Sequence, residues 1–376
     1  MHITVVGAGI VGCAVAHELA CRGARVRVVD PRGTGLGATR ASAGILAPYI
    51  EGHHRPLLDL GLQSLALYDS FVDRVRAGSG LPLEYDRSGS LQIALNDDEA
   101  ASLQSLAAAR ARDAVPHEAL CRREAMGLEP GLSLGLVSAL LIPAHGYVAA
   151  SALIAGLVGA AVAKGVAFSS DHVEAVEPGP DTLAVVTQRG ATQTDAVVLC
   201  AGSWSSRIRM GAAVLPRLPV TPVRGQLIHL HTRRRPASRV LWRGASDPGR
   251  PGTASSYLVP WADGSVLAGA TVEDVGFDES QTPDAVAWLR GESAALLPET
   301  ADASLHEVRV GLRPRTPDGL PLVGASSTMR NVFYATGHHR NGVLLAPLTA
   351  VLVADLLLAG RSGPGLAHTR PDRFGW

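Results

Sequence analysis

Chemistry near the start of the chain rests on Gly7, Gly9 and Gly12, in the run Gly7-Ala8-Gly9-Ile10-Val11-Gly12, and on Asp30, eighteen positions after the last of them. Glycines at this spacing, directly after an apolar strand and opening a helix, permit a tight turn. They also let backbone N–H groups approach a pyrophosphate closely. An acid about twenty residues further on, at the end of the next strand, stands where a ribose hydroxyl is gripped. A carboxylate at that point favours an adenosine 2′-OH over a 2′-phosphate. The chemistry implied is dinucleotide binding. A GxGxxG by itself is a weak signal with a plain βα turn as its bland alternative; the strand–turn–helix–strand context strengthens it.

Two further stretches bear on which dinucleotide this is. Gly35 to Leu46 (GLGATRASAGIL) is a long loop of small residues with no counterpart in a minimal NAD domain. Small side chains allow backbone contact with an extended ligand lying deep in a fold, which favours FAD. A glycine-rich surface loop is the alternative. Val197-Val198-Leu199-Cys200-Ala201-Gly202 is a second strand running into a glycine turn, as needed beside a bound dinucleotide.

The elements that position these residues follow from periodicity. His2–Val6, Ile10–Arg22 and Arg25–Val29 read as strand, helix and strand, a βαβ unit with parallel strands. Helices are expected over Leu57–Val75, Asp97–Ala114, Ala149–Lys164 and about Val343–Leu358, and short strands over Leu83–Leu95. Strands are expected over Val166–Ser169, Val173–Val176, Leu183–Thr187, Ala196–Cys200 and Asn331–Ala335. After Val214 the pattern turns antiparallel, with strands Gln226–His231, Ser256–Pro260 and Val266–Ala270 separated by turns such as Ala262-Asp263-Gly264. The fold class expected is α/β: a Rossmann-type FAD-binding domain interleaved with an α+β substrate domain built on a largely antiparallel sheet. The FAD-binding domain is expected over 1–80, 145–213 and 320–376, and the substrate domain over 81–144 and 214–319.

Composition narrows the function classes. With 47% apolar residues the chain fills a core, and 34 basic against 34 acidic side chains leave no general nucleic-acid footprint. Cys13, Cys21, Cys121 and Cys200 form no CxxC pair and have no histidine cluster beside them in sequence, so neither a metal nor a disulfide framework is expected. The glycine-broken N-terminal run lacks the basic start of a secretory signal. Leu344–Leu358 is short for a membrane span and interrupted by Pro347 and Asp355. A cytoplasmic protein with no integral membrane segment is expected.

Taken together these pieces resemble the D-amino-acid oxidase family of FAD enzymes, and within it the glycine oxidase branch associated with thiamine biosynthesis. The resemblance spans essentially the whole chain. Its most specific parts are Thr39–Leu46, Ser256–Pro260, Gly269–Phe277, Gly311–Gly319 (GLRPRTPDG) and Gly337–Gly342 (GHHRNG). It implies that Arg313 binds a substrate carboxylate bidentately, that Tyr257 donates a second hydrogen bond, and that Arg340 reinforces the field. These three are the catalytic candidates. Sarcosine oxidases would suggest a covalent flavin through a late cysteine. Cys200 is the last cysteine of this chain, which implies non-covalent FAD.

The resemblance further implies cofactor contacts at Gly7, Gly9, Ile10, Val11 and Gly12, at Asp30 and Pro31, and at Ala38, Thr39, Ala43, Gly44 and Ile45. Val176 and Gly202 are added from the middle of the chain, and His338, His339, Arg340, Asn341, Gly342, Val343 and Leu344 from the C-terminal loop and helix start. A helix N-terminus at that loop would stabilise negative charge on the flavin. His338 and His339 are not read as an acid–base pair, since adjacent residues need not face the same ligand and hydride transfer needs no protein base; at least one of them is read as a backbone contact to FAD. Two positions depart from the family pattern. His339 stands where relatives often have an aromatic, and Arg315 where a small residue is common.

The activity implied is oxidative deamination of glycine or another small amino acid or amine, with molecular oxygen or another acceptor as the second partner. Alternatives are a D-amino-acid dehydrogenase feeding a quinone or carrier, a sarcosine oxidase-like enzyme of N-methyl amino acids, a flavin-binding protein without turnover, and a plain NAD dehydrogenase. Homo-oligomerisation is left open.

Overall fold

The computed structural model describes residues 1–51, 54–211, 218–244 and 255–375. The change of character expected after Val214, and the domain boundary at 213/214, lie outside the described residues.

His2–Val6 sits inside a six-stranded sheet ordered Leu322–Ala325, Val332–Thr336, Ala196–Leu199, His2–Val6, Arg25–Val29, Ala167–Ser169. Its neighbours Ala196–Leu199 and Arg25–Val29 run parallel to it, with Thr4 opposite Val197 and Arg27. Only the edge strand Leu322–Ala325 is antiparallel to its neighbour. A parallel strand covered on both faces must be apolar along its length. Ile3, Val5, Ala196 and Val198 accordingly face one core, and Val6, Val197 and Leu199 face another.

The first core is closed by the helices Ile10–Cys21, Arg55–Ser79, Ala150–Ala163 and Gly342–Ala359. The last of these is 18 residues long and apolar, so by length and composition it is long enough to cross a membrane. Here 61% of it is buried inside the fold, against Ile10–Cys21 and Arg55–Ser79, as a core helix. The second core is closed by a four-stranded sheet of Gly190–Thr194, Leu183–Thr187, Val173–Pro178 and Arg209–Met210.

An eight-stranded sheet makes up the other half, ordered Ser304–Arg315, Thr221–His231, Ser265–Gly269, Ser256–Pro260, Val240–Arg243, Ser90–Ala94, Ser138–Ile142, Glu118–Cys121. It is antiparallel except where Val240–Arg243 lies beside Ser90–Ala94. Two of its parts were not foreseen from periodicity. Ser304–Arg315 includes Gly311, Pro314 and three arginines, a composition that reads as loop. It becomes a strand because it pairs with Thr221–His231 from end to end. The helix Pro283–Leu296 packs on the same sheet, and its proline at the first helical position is a start signal the sequence did contain. The helix expected to reach Ala114 stops at Arg112, and Ala114 takes a positive φ of 54°.

Candidate active site

Where Val6 ends, the chain turns through Gly7, whose φ is +108°. A side chain at Gly7 would overlap the Cys200 carbonyl, and one at Gly12 would overlap the Gly7 carbonyl. The spacing of these glycines is therefore set by the turn packing onto itself and onto the strand Ala196–Leu199. The helix that follows points its N-terminal turn into an open cleft, lined here by Gly9, Ile10 and Val11. First-turn N–H groups have no helical acceptor. Thr39 supplies one, its hydroxyl oxygen accepting from Ile10 N–H at 2.9 Å.

Asp30 lies at the same end, beyond Val29. Its carboxylate accepts from Ala8 N–H and from Arg32 N–H, each at 2.8 Å, and it lines the cleft. Two backbone N–H groups, one on each carboxylate oxygen, thus orient an acid beside the glycine turn, as a ribose contact requires. The cleft continues along Ala38, Thr39, Ala43, Gly44 and Ile45, and most of this loop is short-chained for a structural reason. Gly311 of the large sheet faces this loop, and a Cβ there would come within 2.7 Å of the Ala41 Cβ. Gly44 lies against the Val148 carbonyl with no room for a side chain. With its mouth included, the cleft amounts to about 1460 Å³ of open space, long enough to join the glycine turn to the large sheet.

At the far end, Arg313, Tyr257 and Arg340 line the same cleft. Arg313 lies on Ser304–Arg315 opposite Val223, and its guanidinium donates to the Thr271 carbonyl at 2.9 Å. The adjacent Gly225 is covered by that guanidinium, so a side chain there would overlap it. Behind it Arg224, 4% exposed, is bound by Glu273 and Asp278, each at 2.5 Å. Burial pushes the Glu273 carboxyl up, but hydrogen bonds from Thr271, Gln226 and Arg224 outweigh this and hold it below the usual carboxylate range. A buried arginine is thereby neutralised by its own acids, next to the one that faces the cleft.

Tyr257 pairs across the strands with Trp242 on one side and Gly269 on the other. Its ring lies 5.3 Å from that of Trp242 at 30°, and its hydroxyl covers the bare face of Gly269. Arg340 arrives from the Gly337–Gly342 loop, with its Cζ 5.7 Å from the Trp242 ring centre. That loop is tied to the large sheet by His339 N–H donating to the Pro314 carbonyl at 2.8 Å. His338 is buried and shares a 3.0 Å hydrogen bond with Thr349, and burial pushes its pKa down to about 4. It is neutral at pH 7, in keeping with a packing and backbone role.

Of the expected cofactor contacts, His338, His339, Gly342, Val343 and Gly202 also line the cleft, while six do not. Gly7 and Gly12 build the turn, and Pro31 follows Asp30. Asn341 is buried at the start of the last helix, and the Leu344 carbonyl accepts from the Ser64 hydroxyl in the core. Val176 is fully buried in Val173–Pro178, its carbonyl accepting from Gly211 N–H at 2.8 Å. Sequence reasoning missed Arg32 and Trp204, which line the cleft with the Arg32 guanidinium 4.8 Å from the Trp204 ring. The available signal was Ser203-Trp204 directly after Gly202. It also missed Val272 and Ser255, which flank the Tyr257 end.

This architecture, a glycine turn and acid at one end of a cleft and a guanidinium with a tyrosine at the other, is that of a dinucleotide-dependent oxidoreductase. The chain belongs to the FAD dependent oxidoreductase (DAO) family, whose model matches residues 2–356. The small-residue loop together with Gly9, Gly202 and Gly342, which line the cleft without side chains, is the cradle such a cofactor needs, and the protein is an FAD-dependent oxidoreductase. It is 33% identical to a glycine oxidase of Geobacillus kaustophilus over 359 residues, covering 94% of this chain and 92% of that protein. It is 32% identical to the bifunctional protein ThiO/ThiG of Synechocystis over 99% of this chain, which spans 54% of that longer protein. The crystal structure of glycine oxidase from Geobacillus kaustophilus superposes with a TM-score of 0.90 at 31% identity, over 99% of this chain and 98% of the other.

Proposed function

We propose that the protein oxidises glycine or a similarly small amino acid, releasing the imino acid, which hydrolyses to glyoxylate and ammonia in the case of glycine. The observation that carries this is Arg313, aimed into the same cleft as the glycine turn and held by the Thr271 carbonyl over Gly225. A planar guanidinium grips a carboxylate at two oxygens, and the Tyr257 hydroxyl donates a third bond. Together they fix the substrate's Cα–H in the cleft, and Arg340 adds positive charge at the same end. FAD, when bound, supplies the two-electron acceptor that takes hydride from that carbon and hands the electrons to oxygen as hydrogen peroxide. Positioning and electrostatics are the protein's part.

The finer assignments belong to the same proposal. Gly9, Ile10, Val11, Asp30 and the Ala38–Ile45 loop hold the cofactor. It is bound without a covalent link, a reading supported by the sequence having no cysteine after Cys200 and so none near the Gly337–Gly342 loop. Segments 1–80, 145–213 and 320–376 form the cofactor domain, and 81–144 with 214–319 the substrate domain. Membership of the six- and eight-stranded sheets supports that division. A cytoplasmic location fits four reduced cysteines.

The test is a panel of glycine, sarcosine, D-alanine and neutral amines, with flavin absorbance followed without air and peroxide in air. Glycine or a close relative should bleach the flavin and yield peroxide. Bleaching without peroxide would replace the oxidase by a dehydrogenase, and no bleaching by any amino acid would overturn the reading.

A further inference from the structure

Trp242 touches both cleft residues that reach the substrate end from different parts of the chain. It lies on Val240–Arg243, is 4% exposed, and does not itself line the cleft. Tyr257 is its direct partner on the neighbouring strand, ring against ring at 5.3 Å. The Arg340 guanidinium, from a loop more than eighty residues further along, lies 5.7 Å from the same indole. An indole face attracts a cation through its quadrupole, and more strongly where water is excluded. Its rigid plane also removes rotational freedom from a tyrosine packed against it at a 30° tilt.

We infer that Trp242 is a positioning residue, setting the Tyr257 hydroxyl and the Arg340 guanidinium at a fixed mutual distance so that both meet the substrate carboxylate at once. This rests on the amino-acid reading above. Trp242 lies on the opposite side of Tyr257 from Gly269, so the tyrosine ring is clamped between an indole and a bare backbone face. A smaller side chain at 242 lets the ring tilt and withdraws the π-face from Arg340 in one step. The consequence is specific: only substrates with a carboxylate use the two groups being positioned.

The experiment compares FAD-loaded wild type with Trp242→Leu and Trp242→Phe. Three readouts are taken: kcat and KM for glycine and for a neutral amine, the Kd of glycolate from flavin absorbance, and flavin content with Tm. Trp242→Leu should lose about five- to thirtyfold in glycine kcat/KM and in glycolate affinity, the scale of a desolvated cation–π contact. Neutral-amine turnover and flavin content should stay within about threefold of wild type. Trp242→Phe, which keeps a ring, should recover most of the loss and guards against a Leu variant that does not fold. Equal losses for glycine and the amine, or a Phe variant no better than Leu, would make Trp242 a packing residue and overturn the inference. A wild type that neither turns over glycine nor binds glycolate would overturn the amino-acid reading itself, and this role with it.

Discussion

The guanidinium of Arg313 lies directly over the α-carbon of Gly225, where even a methyl group would overlap Cζ and both terminal nitrogens. The two residues belong to adjacent antiparallel strands, so the glycine is the floor on which the arginine rests. Gly225→Ala should therefore push the guanidinium off the Thr271 carbonyl without touching the cofactor end. Overpacking of this kind costs about 1–3 kcal/mol, so glycine kcat/KM should fall about five- to hundredfold with flavin content unchanged. Steady-state kinetics with a flavin count checks it. Unaltered kinetics would mean that the floor is not needed.

Arg313 itself admits a sharper comparison. Removing the partner of a buried, hydrogen-bonded carboxylate costs roughly 2–5 kcal/mol, so Arg313→Ala should lower kcat/KM for glycine by about thirtyfold to several thousandfold. Arg313→Lys should rescue poorly, because an ammonium cannot reproduce the planar fork. A neutral amine should be nearly indifferent to either change. Equal losses for both substrates would make Arg313 structural.

Asp30 has two tasks in this structure, and they separate by mutation. It holds the N–H groups of Ala8 and Arg32, and it is the proposed ribose contact. Asp30→Ala should weaken FAD binding by about 1.5–3 kcal/mol, the scale of a charged hydrogen bond. Asp30→Asn keeps one acceptor oxygen and should fall between. Fluorescence titration of the apoprotein with FAD reads both, and wild-type affinity in the alanine variant would count against the ribose role.

His145 governs a pH dependence of stability. It is fully buried, bonded to Ser90 at 2.8 Å, and its pKa is pushed down to about 3 by burial, with Arg110 and Arg87 adding to the effect. The unfolded chain protonates this histidine near its ordinary 6.5, the folded one only near 3, so below 6.5 the unfolded state binds more protons. Its contribution is complete above pH 6.5 and is lost as the pH falls toward 3, by about 3–5 kcal/mol in total. His145→Asn should be less stable at neutral pH but should lose less between pH 6.5 and 4 than wild type. Denaturant melts across that range measure it, and parallel pH profiles would exclude His145 as the source.

The glycine-turn end of the cleft was legible in the sequence because its determinants are local. Gly7, Gly9 and Gly12 act within one turn, the strands before and after them are continuous apolar runs, and Asp30 closes the same βαβ unit. Spacing along the chain is there nearly equivalent to position in space. Thr39 was legible as part of a small-residue loop, but its bond to Ile10 N–H was not, since that pairing crosses twenty-nine positions of sequence.

The Arg313 end of the cleft was decided by tertiary structure. Arg313 and Tyr257 were singled out by resemblance, not by any periodicity. Gly311, Pro314 and the crowded arginines hid a strand that exists only because Thr221–His231 pairs with it. Nothing local marks Gly225 as the floor for Arg313, or Trp242 as the common neighbour of Tyr257 and Arg340. Val176 shows the same limit from the other side: chosen as a cofactor contact, it lies sealed in a small sheet away from the cleft lining. What the chain encodes locally is where its backbone turns and which faces are apolar. Which distant side chains share a cleft is fixed only when the two sheets pack together, because burial of their apolar faces sets that arrangement with no trace in residue spacing.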